Sequence, residues 1–265
     1  MFVSDDAGKS WNKVSSNHEL VQRAWYYIEV FPDPQNENTV YVMSASALRS
    51  IDGGKTWDHI YTQHGDYHDV WINPKNSKNM VIADDGGASI TFNGGKSFSL
   101  ITNNMPTAQI YRINADNQFP YRLYGGQQDN TSVRIESLAL GKWGISERNW
   151  DYSAGGESAF LAFNPDDPKL VMGGSYLGTI DALQPLAQAS TNVMAAPIQY
   201  LGRASKDMKY RFNWNAPIIY SKHEPNTFYH GAQLLLRTRD NGVTWEEASP
   251  DLTRNEKEKQ VKGGG

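Results

Sequence analysis

Short runs of apolar residues recur along the chain, each broken by a turn rich in Pro, Asn and Asp. Val30-Phe31-Pro32-Asp33-Pro34 leads into Thr39-Val40-Tyr41-Val42, and Trp71-Ile72-Asn73-Pro74 leads into Met80-Val81-Ile82. Ala162-Phe163-Asn164-Pro165 leads into Leu170-Val171-Met172, and Ile219-Tyr220, through Glu224-Pro225-Asn226, into Thr227-Phe228-Tyr229. A degenerate copy runs from Tyr111-Arg112-Ile113 to Leu123-Tyr124. Runs this short, bounded by turn residues, predict β-strands rather than helices. Corresponding positions recur at steps of roughly 40 to 57 residues, the spacing of repeated four-stranded units with loop insertions.

A second pattern recurs within these units. Ser50 to Trp57 reads S-I-D-G-G-K-T-W; Ser4 to Trp11, Thr91 to Phe98 and Thr238 to Trp245 repeat its form, [S/T]-x-[D/N]-x-G-x-[S/T]-[W/F]. An Asp or Asn side chain holds a turn by accepting bonds from amides ahead of it. Gly at the fifth position allows positive φ, and the hydroxyl residues add local bonds. The terminal Trp or Phe is expected to start the next strand and bury its ring between sheets. This octet is the Asp-box, and it resembles the repeat of sialidase-like and sortilin-like β-propellers. Asp6, Asp52, Asn93 and Asp240 therefore read as structural residues.

Together the two patterns predict an all-β chain, a β-propeller of four-stranded antiparallel blades with Asp-box turns. Five blades are expected at roughly 25–61, 68–101, 109–150, 157–201 and 215–249, the third and fourth without octets. Residues 1–14 supply the outer half of a further blade, and 251–265 read as a polar tail or linker. A propeller closes only when its last blade meets its first, so the expectation is a fragment of a larger propeller whose partners include the remaining blades of a longer parent chain.

Composition narrows the function classes. The 265 residues carry a net charge of −4 and show no Lys/Arg cluster interleaved with aromatics, which argues against nucleic acid. No apolar run is long enough to insert in a membrane, and no signal peptide is recognisable at the start of the chain. Cysteine is absent, which removes disulfides and thiolate metal sites.

The octets and the Pro turns join strands at one end of each blade, so the chemistry is sought in the loops at the other end. His64, Asp66 and His68 would point the same way in extended chain, as a ligand-binding or acid/base group, or as a site for a divalent metal; otherwise they belong to a solvated loop. The pair Asp84-Asp85 could share a proton or hold calcium, or cap a glycine turn. Gln127, Gln128, Asp129 and Asn130 suit the recognition of sugar hydroxyls, or bond one another. Glu157 follows two glycines that let it approach the channel. Arg211 could clamp a carboxylate, and Trp214 could stack on a sugar or peptide.

The stretches H-G-D-Y-H-D-V-W-I-N-P, D-D-G-G, Y-G-G-Q-Q-D-N, G-G-E-S, K-Y-R-F-N-W and S-P-D-L-T-R together resemble a bacterial family of sortilin-like Asp-box proteins often labelled glycosyl hydrolases. That resemblance, over about residues 25 to 254, implies an extracellular or periplasmic protein built from propellers in tandem. Sialidases need an arginine triad, a nucleophilic Tyr and an Arg-Ile-Pro element that Tyr111-Arg112-Ile113-Asn114 only approaches, so sialidase activity is disfavoured. Asp-box hydrolases that cleave xyloglucan use two facing acids. Here an acid and base would be drawn from Asp66, Asp85, Asp129 and Glu157. The expected function is the binding or hydrolysis of glycans, with a non-catalytic module binding peptide or protein as the alternative.

Overall fold

The computed structural model describes residues 1–101, 108–141, 144–197 and 202–261, and its contacts divide the chain into two compact units, Met1–Pro106 and Thr107–Gly265. Residues 198–201, at the end of the expected fourth blade, and 262–265, at the end of the expected tail, lie outside the described residues. Among the described residues the only helical segments are single 3-10 turns.

In the first unit β1 (Phe2–Val3) and β2 (Asn12–Lys13) form a hairpin. One sheet follows from β3 (Glu29–Asp33), β4 (Asn36–Met43), β5 (Ala47–Ser50) and β6 (Asp58–Ile60), and a second from β7 (Tyr67–Ile72), β8 (Met80–Asp84), β9 (Gly87–Thr91) and β10 (Ser99–Leu100). The second unit has three such sheets. The first holds β11 (Ile110–Ala115), β12 (Arg122–Gln127), β13 (Ser132–Glu136) and β14 (Trp150–Tyr152), and the next β15 (Leu161–Phe163), β16 (Val171–Gly174), β17 (Ile180–Gln184) and β18 (Ala189–Asn192). The last holds β19 (Ile218–Tyr220), β20 (Phe228–Gly231), β21 (Leu235–Thr238) and β22 (Glu246–Glu247). Each sheet is an antiparallel meander in which neighbours in sequence are neighbours in space. The chain is all-β and of the β-propeller class, with five blades and a two-stranded hairpin among the described residues.

The apolar runs form strands buried on both faces because their alternate positions serve different neighbours. In β4, Tyr41 and Met43 pack with Val70, Met80 and Ile82 of the next sheet, while Val42 turns the other way onto Leu20 and Leu48. In the second unit Leu161, Phe163 and Val171 pack with Tyr124, whereas Ala162 and Met172 face Ile218 and Phe228. A one-residue slip would exchange the two faces and lose both contacts.

The four octets share one network. In the second, Ser50 Oγ accepts from Gly54 N (2.8 Å) and donates to Asp52 Oδ1 (2.8 Å), and Asp52 accepts from the amides of Lys55 and Thr56 and from the Thr56 hydroxyl. These bonds hold the Asp52 carboxyl well below the usual carboxylate range, the Thr56 hydroxyl contributing most. Asp6 is held at about 2 by the equivalent bonds, led by the Ser10 hydroxyl. Asn93 keeps the geometry by reversing one bond, its Nδ2 donating to Ser97 Oγ at 2.8 Å. The glycine at position five has φ between +81° and +88° in all four copies.

The octet amide at position four reaches the first turn of its own blade. Gly53 N donates to Asn38 O, Gly94 N to Lys78 O and Asn241 N to Asn226 O. Octets and first turns therefore share one end, and the opposite end carries the turns between second and third strands. One expectation is corrected. Phe98 and Trp245 pack against the core between neighbouring sheets, but Trp11 is 61% exposed and Trp57 only half-buried. The indole N–H groups of Trp11 and Trp57 close their turns by donating to the octet glycine carbonyls, Gly8 O at 3.2 Å and Gly54 O at 3.0 Å.

Residues 251–261 are not a free tail. Leu252 N donates to Gln233 O (2.7 Å) and Lys206 N to Gln260 O (3.0 Å), which seats the segment on the last blade of the second unit.

Candidate functional site

In the second unit the loop after β12 turns back through Asp129 (φ +60°) and Thr131 (φ +65°), closed by Gln127 N donating to Thr131 O at 2.7 Å. Two glycines admit it. A Cβ on Gly126 would stand 2.6 Å from Ala159 N, and one on Gly155 would stand 2.3 Å from Gly174 O. This backbone contact brings the 154–159 loop against β12 and β16, and with it Glu157.

The side chains then converge on Gln128. Its Nε2 donates to Asp129 Oδ1 (2.5 Å) and to Glu157 Oε2 (2.9 Å), while Glu157 Oε2 also accepts from Asp129 N (2.9 Å). Its Oε1 accepts from the Tyr111 hydroxyl, which in turn accepts from the Trp214 indole N–H at 3.0 Å. Asn130 Nδ2 donates to Gln128 O at 3.2 Å. One hydrogen-bonded chain thus runs from an exposed tryptophan, through β11, to two carboxylates.

Trp214 is oriented from a second side. Gly178 (φ +75°) lies under Phe212, where an added Cβ would fall 2.1 Å from the ring. That contact lays the 209–214 loop along the Tyr176–Gly178 turn, and Trp214 stacks on Tyr176 with centroids 5.1 Å apart and planes 13° apart. Both rings remain open to solvent, at 43% and 38% exposure.

Arg211, expected to clamp a ligand carboxylate, faces elsewhere. Its guanidinium donates to Asp251 Oδ2 (2.9 Å), Thr253 Oγ1 (2.8 Å), Asn255 Oδ1 (2.6 Å) and Gln260 Oε1 (3.0 Å). The carboxylate it holds belongs to its own chain. Gln127 enters the site through its backbone turn.

In the first unit Asp66, His68 and Asp85 share a cluster with two residues that the sequence reading passed over. Arg23 pairs with Asp66 at 3.0 Å, and the Tyr27 hydroxyl donates to the same Oδ1. His68 Nε2 donates to Asp85 Oδ1 at 2.7 Å, with the Tyr27 ring 4.3 Å away. Burial, then the bond to Asp66, pushes the Tyr27 hydroxyl well above its usual range. The expected same-side row of His64, Asp66 and His68 does not form. Asp66 takes φ +56° ahead of β7, which breaks the alternation, and His64 turns onto Gly86. Asp84 and Asp85 also part, since Asp84 accepts from Gly86 N (3.0 Å) and the Thr62 hydroxyl (2.6 Å) as a turn cap. Among the described residues no group of three or more His, Cys, Asp or Glu side chains is placed to hold a metal ion.

Nothing in the sequence marks Tyr111, within a strand-forming run, or Tyr176, in a glycine-bounded turn, as a partner of these loops. A cavity of about 900 Å³ in the second unit, lined by Asn117, Pro165, Ser221 and Lys222, opens at the end carrying the first turns. It contains none of the residues above, and the convergent polar groups, not this void, mark the site.

No protein-family model and no curated protein matches the chain. Among solved structures it is similar to a GH74 enzyme of Niastella koreensis, at 16% identity and a TM-score of 0.35, over 83% of this chain and 38% of that one. A GH74 xyloglucanase from Xanthomonas campestris gives 14% and 0.36 over 82% and 37%, and YCF48 from Cyanidioschyzon merolae 16% and 0.33 over 80% and 69%. The chain spans well under half the length of the two GH74 chains. Likenesses this distant carry nothing about chemistry. No helix among the described residues is long and apolar enough to cross a membrane.

Proposed function

We propose that the chain is a carbohydrate-binding module of the Asp-box propeller type, acting outside the cytoplasmic membrane, and that its second unit seats a sugar ring on Trp214 and Tyr176. The observation that carries this reading is the bonded chain from Trp214 through Tyr111 to Gln128, Asp129 and Glu157. An exposed, pre-oriented aromatic face suits the C–H face of a pyranose. Planar amide and carboxylate groups beside it match hydroxyls, which both donate and accept. Because the network already fixes these side chains, little ordering entropy remains to be lost on binding.

Hydrolysis is the second reading, favoured by one feature. Two carboxyl groups that bond one amide nitrogen are as close as the acid pair of a retaining glycosidase, about 5 Å. Against it, the Gln128 amide occupies the space between them, where the scissile oxygen would have to lie. Binding is therefore the better-supported function, and cleavage requires Gln128 to swing aside.

Titration of the protein with a polysaccharide panel, with product release followed in parallel, separates these readings. Saturable binding without product, weakened about tenfold or more by Trp214→Ala, is the expected result. Product release abolished by Asp129→Asn or Glu157→Gln would establish hydrolysis. Binding of peptides with no response to any glycan would overturn the carbohydrate reading.

A further inference from the structure

The first unit carries an aromatic corner that the proposed site does not use. Trp25 and Tyr26 stack in parallel, with centroids 5.9 Å and planes 17° apart, and are 58% and 70% exposed. Tyr26 stands almost perpendicular to Tyr27 (77°) and to His68 (78°), whose rings lie 4.3 Å apart. The pair Trp25 and Tyr26 thus forms a wall, and Tyr27 with His68 a floor. The floor is edged by Asp66, which holds Tyr27, and by Asp85, which holds His68. The half-exposed Arg23 guanidinium closes the third side on Asp66.

The charges of this corner decide what fits it. A cationic ligand would seek the aromatic faces, but Arg23 already lies 5.8 Å from the Trp25 centroid and 6.0 Å from that of Tyr27. An anion would meet the carboxylates of Asp66 and Asp85 with one guanidinium to offset them. A purely apolar ligand would leave these polar groups facing it without exchange. The remaining class is a neutral ring with one apolar face and hydroxyls on its rim. Its face would lie on the wall, while its hydroxyls exchange bonds with carboxylates, imidazole and guanidinium along the floor.

We propose that the first unit holds a second saccharide site, built from Trp25, Tyr26, Tyr27, His68, Asp66 and Asp85, which makes the chain bivalent for neutral glycans. It rests on the carbohydrate reading for its ligand class and shares no residue with the site of the second unit.

The test is calorimetric titration of the full chain with hexasaccharides of β-1,4-linked glucose, xylose and mannose and of α-1,4-linked glucose. Three proteins are compared: wild type, the double variant Trp25→Ala/Tyr26→Ala, and Trp214→Ala. The two wall residues are largely exposed and their removal leaves the core intact, which circular dichroism verifies. The expected result is two sites in wild type and one in each variant. A double variant that binds every sugar with wild-type stoichiometry and affinity overturns the second site and leaves the first standing. Binding lost in the double variant but unchanged in Trp214→Ala supports the corner and removes the site of the second unit. No binding of any hexasaccharide overturns both.

Discussion

Arg211 donates to Asp251 at 2.9 Å, and the Asp251 carboxylate is fixed for this by the Thr253 amide (2.8 Å) and hydroxyl (2.7 Å). The stretches K-Y-R-F-N-W and S-P-D-L-T-R, 40 residues apart, are thus the two halves of one clasp. The clasp closes residues 251–260 over the loop that carries Trp214, and so links a segment of tail-like composition to the aromatic face of the proposed site. The Thr253 hydroxyl, the Thr253 amide and then Arg211 hold the Asp251 carboxyl below its usual range.

Opening the clasp should free the segment without unfolding the blades. In Arg211→Met, cleavage by trypsin at Arg254 is expected to accelerate roughly tenfold, and amide exchange at Leu252 and Lys206 to rise while β20 and β21 stay protected. Equal cleavage rates in variant and wild type would show that the segment is held by something other than Arg211.

Gly178→Ala should damage the site from behind. The residue must keep φ +75°, and its new Cβ would fall 2.1 Å from the Phe212 ring. Left-handed backbone with a side chain costs about 1–2 kcal/mol and the overpacking a similar amount. The expected outcome is a destabilisation of about 2–4 kcal/mol in urea unfolding. Glycan affinity should fall with it, because Phe212 cannot move without carrying Trp214 off Tyr176. Retained affinity at lowered stability would separate the stack from the turn.

The octets make a chemical prediction. Asn93 performs the task of Asp52 with one bond reversed, so Asp52→Asn should be tolerated, whereas Asp52→Ala leaves the Lys55 and Thr56 amides and the Thr56 hydroxyl without their acceptor. Thermal unfolding should place Asp52→Asn within a degree or two of wild type and Asp52→Ala clearly below it. The advantage of wild type over Asp52→Ala should shrink as the pH falls below about 4, because the unfolded chain then takes up a proton that the folded carboxylate, held well below its usual range, refuses.

What the sequence made legible follows the range of each interaction. Octet geometry lies within eight residues, so its form is written out in each copy, and the period of two in strands such as β4 and β16 reveals which positions face a neighbouring sheet. The loops of the site also stood out, since Gln127 to Asn130 and Gly155 to Glu157 break the apolar pattern. Their partners did not stand out. Gln128 meets Glu157 across 29 residues, and Trp214 meets Tyr111 across 103, in a strand whose aromatics look like core. Arg211 resembled a ligand clamp because its true carboxylate lies in a segment whose polarity reads as a tail. The row of His64, Asp66 and His68 failed at one torsion, the positive φ of Asp66, which a β alternation does not encode.

His230 should give the protein a distinctive acid response. It is 1% exposed, its Nδ1–H donates to Pro217 O at 3.0 Å, and its ring stacks on Phe212 at 4.7 Å. Nε2 has no partner among the described residues. Protonation would therefore place an unbonded N–H⁺ among aromatic rings, and burial pushes the pKa down to about 4, the Pro217 carbonyl opposing it only in part. In the unfolded chain the same histidine titrates near 6.5. Above 6.5 it is neutral in both states and costs nothing. Between 6.5 and 4 the unfolded state binds a proton that the folded state refuses, so stability falls as the pH drops through that window and levels off below 4. The loss amounts to about 3 kcal/mol. His230→Asn keeps a donor for Pro217 and removes the titration. Its urea midpoint should start lower at pH 8, through the cavity it leaves, but decline less between pH 6.5 and 4 than that of the wild type. Parallel declines in the two proteins would mean that His230 is not the group that titrates.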